Sequence, residues 1–94
     1  MKKILLIDIS NNREIKVGLR IDTKEYIIKE KIGRQKAQVV LPLIDKLLRK
    51  KGLEITDING IEIYSINGSF TGIRVGMSIA NALSFALKIP VKTI

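Results

Sequence analysis

The stretch KILLIDI, residues 3–9, is apolar at positions 4 to 7 and again at 9. Alternation, the mark of a half-wet strand, is missing, so the run reads as a central strand buried on both faces. Asp8 and Ser10 close it, and SNNR at residues 10–13 is turn chemistry. The next stretch, EIKVGLRID, does alternate: Ile15, Val17, Leu19 and Ile21 share one face, and Lys16, Gly18 and Arg20 share the other. This is the pattern of a half-exposed antiparallel strand, followed by a turn at Asp22 and Thr23 and a third strand at residues 25–31. Three strands form a meander with the first one innermost.

The rest of the chain alternates helix and strand. A helix is predicted over about residues 34 to 51, where Val40, Leu43, Ile44, Leu47 and Leu48 make one apolar stripe. Arg49, Lys50 and Lys51 favour the negative end of its dipole, and Gly52 ends it. Pro42 either kinks this helix from inside or occupies the first turn of one starting near Leu41. IEIYS, residues 61–65, alternates as a fourth strand, a second helix is expected over about residues 72 to 87, and IPVKTI is a last short strand. The expected fold is therefore α/β. Its order, with the first strand central, matches by analogy a ribonuclease-H-like mixed five-stranded sheet: an antiparallel meander, then two parallel strands, with two helices.

Composition limits the chemistry. The 94 residues include neither cysteine nor histidine, which removes disulfides, thiolate nucleophiles, imidazole bases and the usual zinc sites. The apolar start is cut by Asp8, too early for a signal peptide. The most apolar stretch, residues 75–87, falls short of a bilayer span of roughly 20 residues. A soluble, cytoplasmic protein with no membrane contact is the expectation. Residues 1–51 hold 14 Lys/Arg against 6 Asp/Glu, whereas residues 52–94 hold 3 of each. Lys16, Arg20, Lys29, Lys31, Arg34 and Lys36 are the candidate RNA contacts that this asymmetry suggests, against the plainer reading of a solubilising basic surface.

NGSFTGIRVGMSIANAL, residues 67–83, runs a glycine-spaced turn into an apolar helix. Two readings stand. Ser69, Thr71, Gly72 and Arg74 can cradle an anion at the helix N-terminus. Alternatively, Thr71 caps the helix, Phe70 and Val75 staple it, and no phosphate is involved. Downstream, Gly72, Gly76, Ala80 and Ser84 recur at steps of four. An interior glycine costs about 1 kcal/mol relative to alanine, so a close approach by another backbone is expected at Gly76. That approach belongs either to burial within the domain or to a helix interface with another chain.

ILLIDIS, LPLIDKLLRKKGLEITDINGI and NGSFTGIRVGMSIANALSFALKIPV, taken in order, resemble the N-terminal half of the TsaB (YeaZ) family. The resemblance implies half of an actin-like ATPase fold, made from one ribonuclease-H-like unit. It implies a non-catalytic subunit, with no catalytic residues, metal or cofactor, that binds a TsaD-like partner in tRNA threonylcarbamoyladenosine (t6A) modification. The implied interface uses Val40, Leu43, Ile44 and Leu47 on the first helix and Arg74, Gly76, Met77, Ala80 and Asn81 on the second. RQKAQ stands where the family usually has a histidine, and Ile66 and Asn67 stand where it has Gly-Pro. Residues 1–94 would form a single domain lacking the family's C-terminal half, and with it any cleft between halves.

Both sets of side chains on the first strand are apolar, and both helices are expected on one face of the sheet. A patch around Ile4 and Leu6 is then expected to lie uncovered and to drive homo-oligomer formation or binding of a partner. A ribonuclease-like enzyme is the weaker alternative, because it needs several carboxylates at strand ends and only Asp8 is so placed.

Overall fold

The computed structural model describes residues 2–10, 13–31, 36–64 and 70–94, with backbone alone at 36, 37 and 70–72. Strand β1 (Lys3–Asp8) is followed by β2 (Glu14–Ile21), β3 (Lys24–Lys31), helix α1 (Lys36–Lys50), a short 3-10 turn (Ile55–Asp57), β4 (Gly60–Tyr64), α2 (Phe70–Leu87) and β5 (Val91–Thr93). The sheet order is β3-β2-β1-β4-β5, with β1 antiparallel to β2 and parallel to β4. The five-stranded mixed sheet expected from the patterns is the one observed.

Register follows from the apolar pattern. Leu5 lies between Leu19 and Ile61, and Ile7 between Val17 and Ile63, so a single apolar face extends across three strands. A slip of one residue would turn Lys16, Arg20 and Glu62 into the core. Asn59 secures the parallel pair where it begins: its N–H donates to the Lys3 carbonyl at 2.8 Å, and its Oδ1 accepts from the Lys3 N–H at 2.7 Å.

Both helices cover this one face. From α1, Val40, Leu43, Ile44, Leu47 and Leu48 are buried over it, and α2 adds Ala80. Pro42 lies inside α1, so the interior placement is the observed one. It removes a bond to the carbonyl of Gln38, an exposed residue whose carbonyl water can satisfy. The helix stops at a Schellman motif, in which Leu53 N–H donates to Leu48 O at 2.9 Å and Gly52 N–H to Arg49 O at 3.1 Å. Gly52 has φ +68°, and its missing side chain faces open space, so only backbone conformation demands glycine here. Lys51 then lies over the Tyr26 ring, 3.5 Å from its centroid, tying the helix end to β3.

At the end of α2, Ile89 N–H donates to Ser84 O, and Lys88 takes a φ of +56° without being glycine. The Ser84 hydroxyl also donates to the Ile89 carbonyl. Within the small-residue stripe, Gly76 and Ala80 are buried. A methyl group at Gly76 would meet Ile9 Cδ1 at 3.5 Å, an ordinary contact, so the close backbone approach expected there is absent. Gly76 and Ala80 pack within the domain.

The opposite sheet face carries no described helix, yet the patch expected around Ile4 and Leu6 is not open. These side chains are 9% and 3% exposed. Arg20 on β2 and Glu62 on β4 join at 2.5 Å across the intervening β1, and the ion pair roofs the apolar pair beneath it. Glu25 also approaches Arg20, at 3.6 Å. On the other side Gly18 leaves room for Leu6 and Ile27, since a Cβ there would come within 3.2 Å of both, and a hollow of about 200 Å³ lies beside them against Tyr64. The correction has a plain cause: long charged side chains cover apolar surface with their stems.

Hydrogen bonding to Glu62, opposed by partial burial and helped by the charges of Glu62 and Glu25, raises the Arg20 pKa. Stabilisation from a raised basic group is complete below its unfolded pKa and fades only as pH climbs through the folded value. For arginine that window lies beyond ordinary alkaline conditions. Replacing Arg20 by Gln should therefore cost about 1–2 kcal/mol, by the same amount at pH 7 and pH 10, in urea titrations. In the same assay Gly52→Ala should destabilise by about 1 kcal/mol and Lys88→Gly should stabilise by up to about 1 kcal/mol, because both positions adopt left-handed backbone.

Candidate functional site

The outward side of the helical layer carries two of the four large exposed hydrophobic residues found among the described residues. On α2 the inward positions Gly76, Ala80, Leu83 and Leu87 recur at steps of three and four, which turns Arg74, Ser78, Asn81, Ala82 and Phe85 outward. Phe85 is 88% exposed, and Leu41 on α1 is 51% exposed. A shallow groove of about 410 Å³ lies between the helices, lined by Leu41, Ser78, Ile79, Ala82, Leu83 and Ala86. It adjoins a second hollow of about 450 Å³, also bordered by Leu41 and Leu83, that extends past Asp45 and Arg49 to Leu53 and Ile55. Asp45 and Arg49 pair at 2.9 Å on its exposed rim, an i,i+4 contact worth a few tenths of a kcal/mol.

This geometry sorts the expected interface residues. Val40, Leu43, Ile44 and Leu47 are buried, their surface spent on the sheet, as are Gly76 and Ala80. Met77 is half-buried and within 4.0 Å of the Thr93 hydroxyl, while Arg74 and Asn81 are exposed. Of the residues implied as an interface, only Arg74 and Asn81 are exposed on these helices, and they share the outward side with Leu41, Ala82 and Phe85, which were not singled out in the sequence. Phe85 was legible in principle: it sits four residues after Asn81 and seven after Ser78, on the polar line of the helix rather than its apolar one.

Of the anion cradle, Ser69 lies outside the described residues, Thr71 and Gly72 are described in backbone alone, and Arg74 already has an interaction partner. Helix α2 runs from Phe70, so Thr71 stands in its first turn instead of before it.

The candidate RNA contacts divide similarly. Arg34 and the Lys36 side chain lie outside the described residues. Lys16, Arg20, Lys29 and Lys31 do share the open sheet face, but carboxylates interleave with them. Glu14 lies 3.8 Å from Lys16, and Glu25 and Glu62 hold Arg20. The result is a mosaic rather than a basic patch. Asp8 ends β1 between Lys16 and Tyr64, not among other carboxylates. Its Oδ1 accepts from the Ser10 N–H at 3.0 Å and from the Ser10 hydroxyl, an Asx-type turn. No group of three or more potential metal ligands occurs among the described residues, and no described helix is long and apolar enough to cross a membrane.

Comparison with known proteins follows the same lines. Residues 23–94 match the family model for TsaD, tRNA N6-adenosine threonylcarbamoyltransferase. The TsaB protein of Haemophilus influenzae, a tRNA threonylcarbamoyladenosine biosynthesis protein, is 32% identical over 97% of this chain and 39% of its own length. Bacillus subtilis TsaB is likewise 32% identical, over 97% of this chain and 40% of its own. The chain thus spans about two-fifths of these relatives. Among solved structures, YeaZ from Pseudomonas aeruginosa superposes with a TM-score of 0.91 at 30% identity, over all of this chain and 44% of that one. Thermus thermophilus RuvC superposes at 0.62 with 10% identity over 64% of its chain, which establishes a shared ribonuclease-H-like fold alone.

Proposed function

The chain belongs to the TsaD family, and from that premise we propose that it is a non-catalytic, TsaB-like binding subunit acting in t6A modification of tRNA. It docks a TsaD-like partner through the outward side of α1 and α2. The observation that carries this reading is Phe85, a phenyl ring left almost entirely in water beside a groove bordered by Leu41, Ala82 and Ala86. Burying such a ring against a partner is worth about 2–3 kcal/mol. An aromatic anchor beside an apolar slot is the composition of an interface hot spot. Arg74 and Asn81 supply a polar margin on the same face.

The binding reading is favoured over a nuclease by the surroundings of Asp8. A two-metal hydrolase needs carboxylates on neighbouring strands. Here the neighbours across the strand end are a lysine and a tyrosine, and the aspartate serves a turn. An RNA contact through the open face is disfavoured by its interleaved carboxylates, because phosphate affinity depends on unopposed cations.

The test is solution mass by size exclusion with light scattering, alone and mixed with the TsaD protein of the same organism. A stoichiometric complex is expected, and Phe85→Glu should weaken it at least tenfold while leaving the urea midpoint nearly unchanged. A complex indifferent to both Phe85→Glu and Leu41→Lys, or no complex at all, overturns the proposal.

A further inference from the structure

Strand β3 is the edge of the sheet, eight residues long, and pairs with β2 in unbroken register without a bulge. Asp22 N–H donates to Lys2 O, so even-numbered residues at that end of β2 bond toward β1 and odd-numbered ones toward β3. The partners of those odd residues, Lys24, Tyr26, Ile28 and Glu30, turn their backbone groups inward. Glu25, Ile27, Lys29 and Lys31 therefore direct theirs to the free edge. Among the described residues helix α1 packs chiefly over β2 and less over β3, and no other described element pairs with that edge.

Charged edge strands ordinarily guard against association. The charges of KEYIIKEK are arranged differently. Folded against a second copy about a two-fold axis at Ile27, the strand sets Glu25 opposite Lys29 and Lys24 opposite Glu30, each twice. Tyr26 meets Ile28, and the two Ile27 side chains meet on the axis. The outward residues 25, 27 and 29 fall opposite one another, as antiparallel bonding requires. Moving the axis to Tyr26 sets Asp22 against Glu30, and moving it to Ile28 sets Ile27 against Lys29 and Tyr26 against Glu30. An axis between two residues would oppose outward groups to inward ones.

Two features of the single chain make sense in this arrangement. Lys29 lies directly across from Lys16 on β2, and of the two only Lys16 has a carboxylate partner among the described residues, Glu14 at 3.8 Å. Ile27 is 53% exposed at the middle of the edge. We propose that β3 is a self-complementary edge through which two copies of this chain join antiparallel about Ile27 into a continuous ten-stranded sheet. Glu25 of the second copy then neutralises Lys29. Both helical layers stay on one side of the joined sheet, and the α1–α2 groove remains free, so this association is independent of docking through Phe85.

The test is sedimentation velocity over a concentration series, together with amide exchange by NMR. A concentration-dependent dimer is expected, in which the Glu25, Ile27 and Lys29 amides gain protection with concentration while Tyr26 and Ile28 are protected throughout. Lys29→Glu sets a carboxylate across from Lys16 and should preserve or raise the stability of the monomer. It should nevertheless raise the dimer Kd roughly tenfold or more, since two attractive pairs become repulsive. Adding Glu25→Lys to Lys29→Glu restores the pairing and should recover the dimer, and Phe85→Glu should leave it unchanged. A monomer at every concentration, or a dimer that Lys29→Glu leaves intact, overturns the proposal.

Discussion

Burial of β1 on both faces is the constraint from which the other placements follow. Its odd-numbered side chains, Leu5 and Ile7, lie under the two helices, and its even-numbered ones, Ile4 and Leu6, lie under the Arg20–Glu62 bridge. A strand apolar on both sides must sit in the middle of the sheet, which puts β2 on one flank and β4 on the other. Once those neighbours are set, Arg20 and Glu62 stand on either side of the central strand, close enough to meet above it. The ion pair is thus a consequence of the same register that builds the core.

The two faces are closed by different means. One is covered by helices that contribute a dry aliphatic layer. The other is covered by the stems of charged side chains, and it stays wet enough for Lys16, Glu14, Glu25 and Lys29 to alternate there. The surfaces proposed for association consequently lie away from the sheet face, on the outward side of the helices, where Phe85 stands in water, and on the edge of β3. They differ in chemistry, one apolar with an aromatic anchor and the other backbone hydrogen bonding with matched charges.

Much of this was legible in residue patterns, because period is a local property. The alternation in residues 14–22, the three-and-four spacing from Val40 to Leu48 and the stop at Gly52 each report a nearby backbone geometry. The α2 start was less so: the helix runs from Phe70, ahead of the threonine expected to cap it. Val40, Leu43, Ile44 and Leu47, which the family resemblance implied as an interface, are the ones that face the sheet, since an apolar stripe marks a buried face without saying what buries it. Gly76 misled similarly, as its inward side meets only isoleucine side chains at ordinary distance.

By itself the sequence determined the elements, their order, the central place of β1 and the limits on chemistry that follow from having no cysteine or histidine. Only the tertiary structure decided how Ile4 and Leu6 are covered, since Arg20 and Glu62 are 42 residues apart and meet only after β2 and β4 flank β1. It likewise decided that Lys16 opposes Lys29 and that Phe85, rather than the aliphatic stripe of α1, is what the helices show to solvent. The division has one physical reason: local patterns specify which way a side chain points on its own element, and only packing specifies what stands opposite.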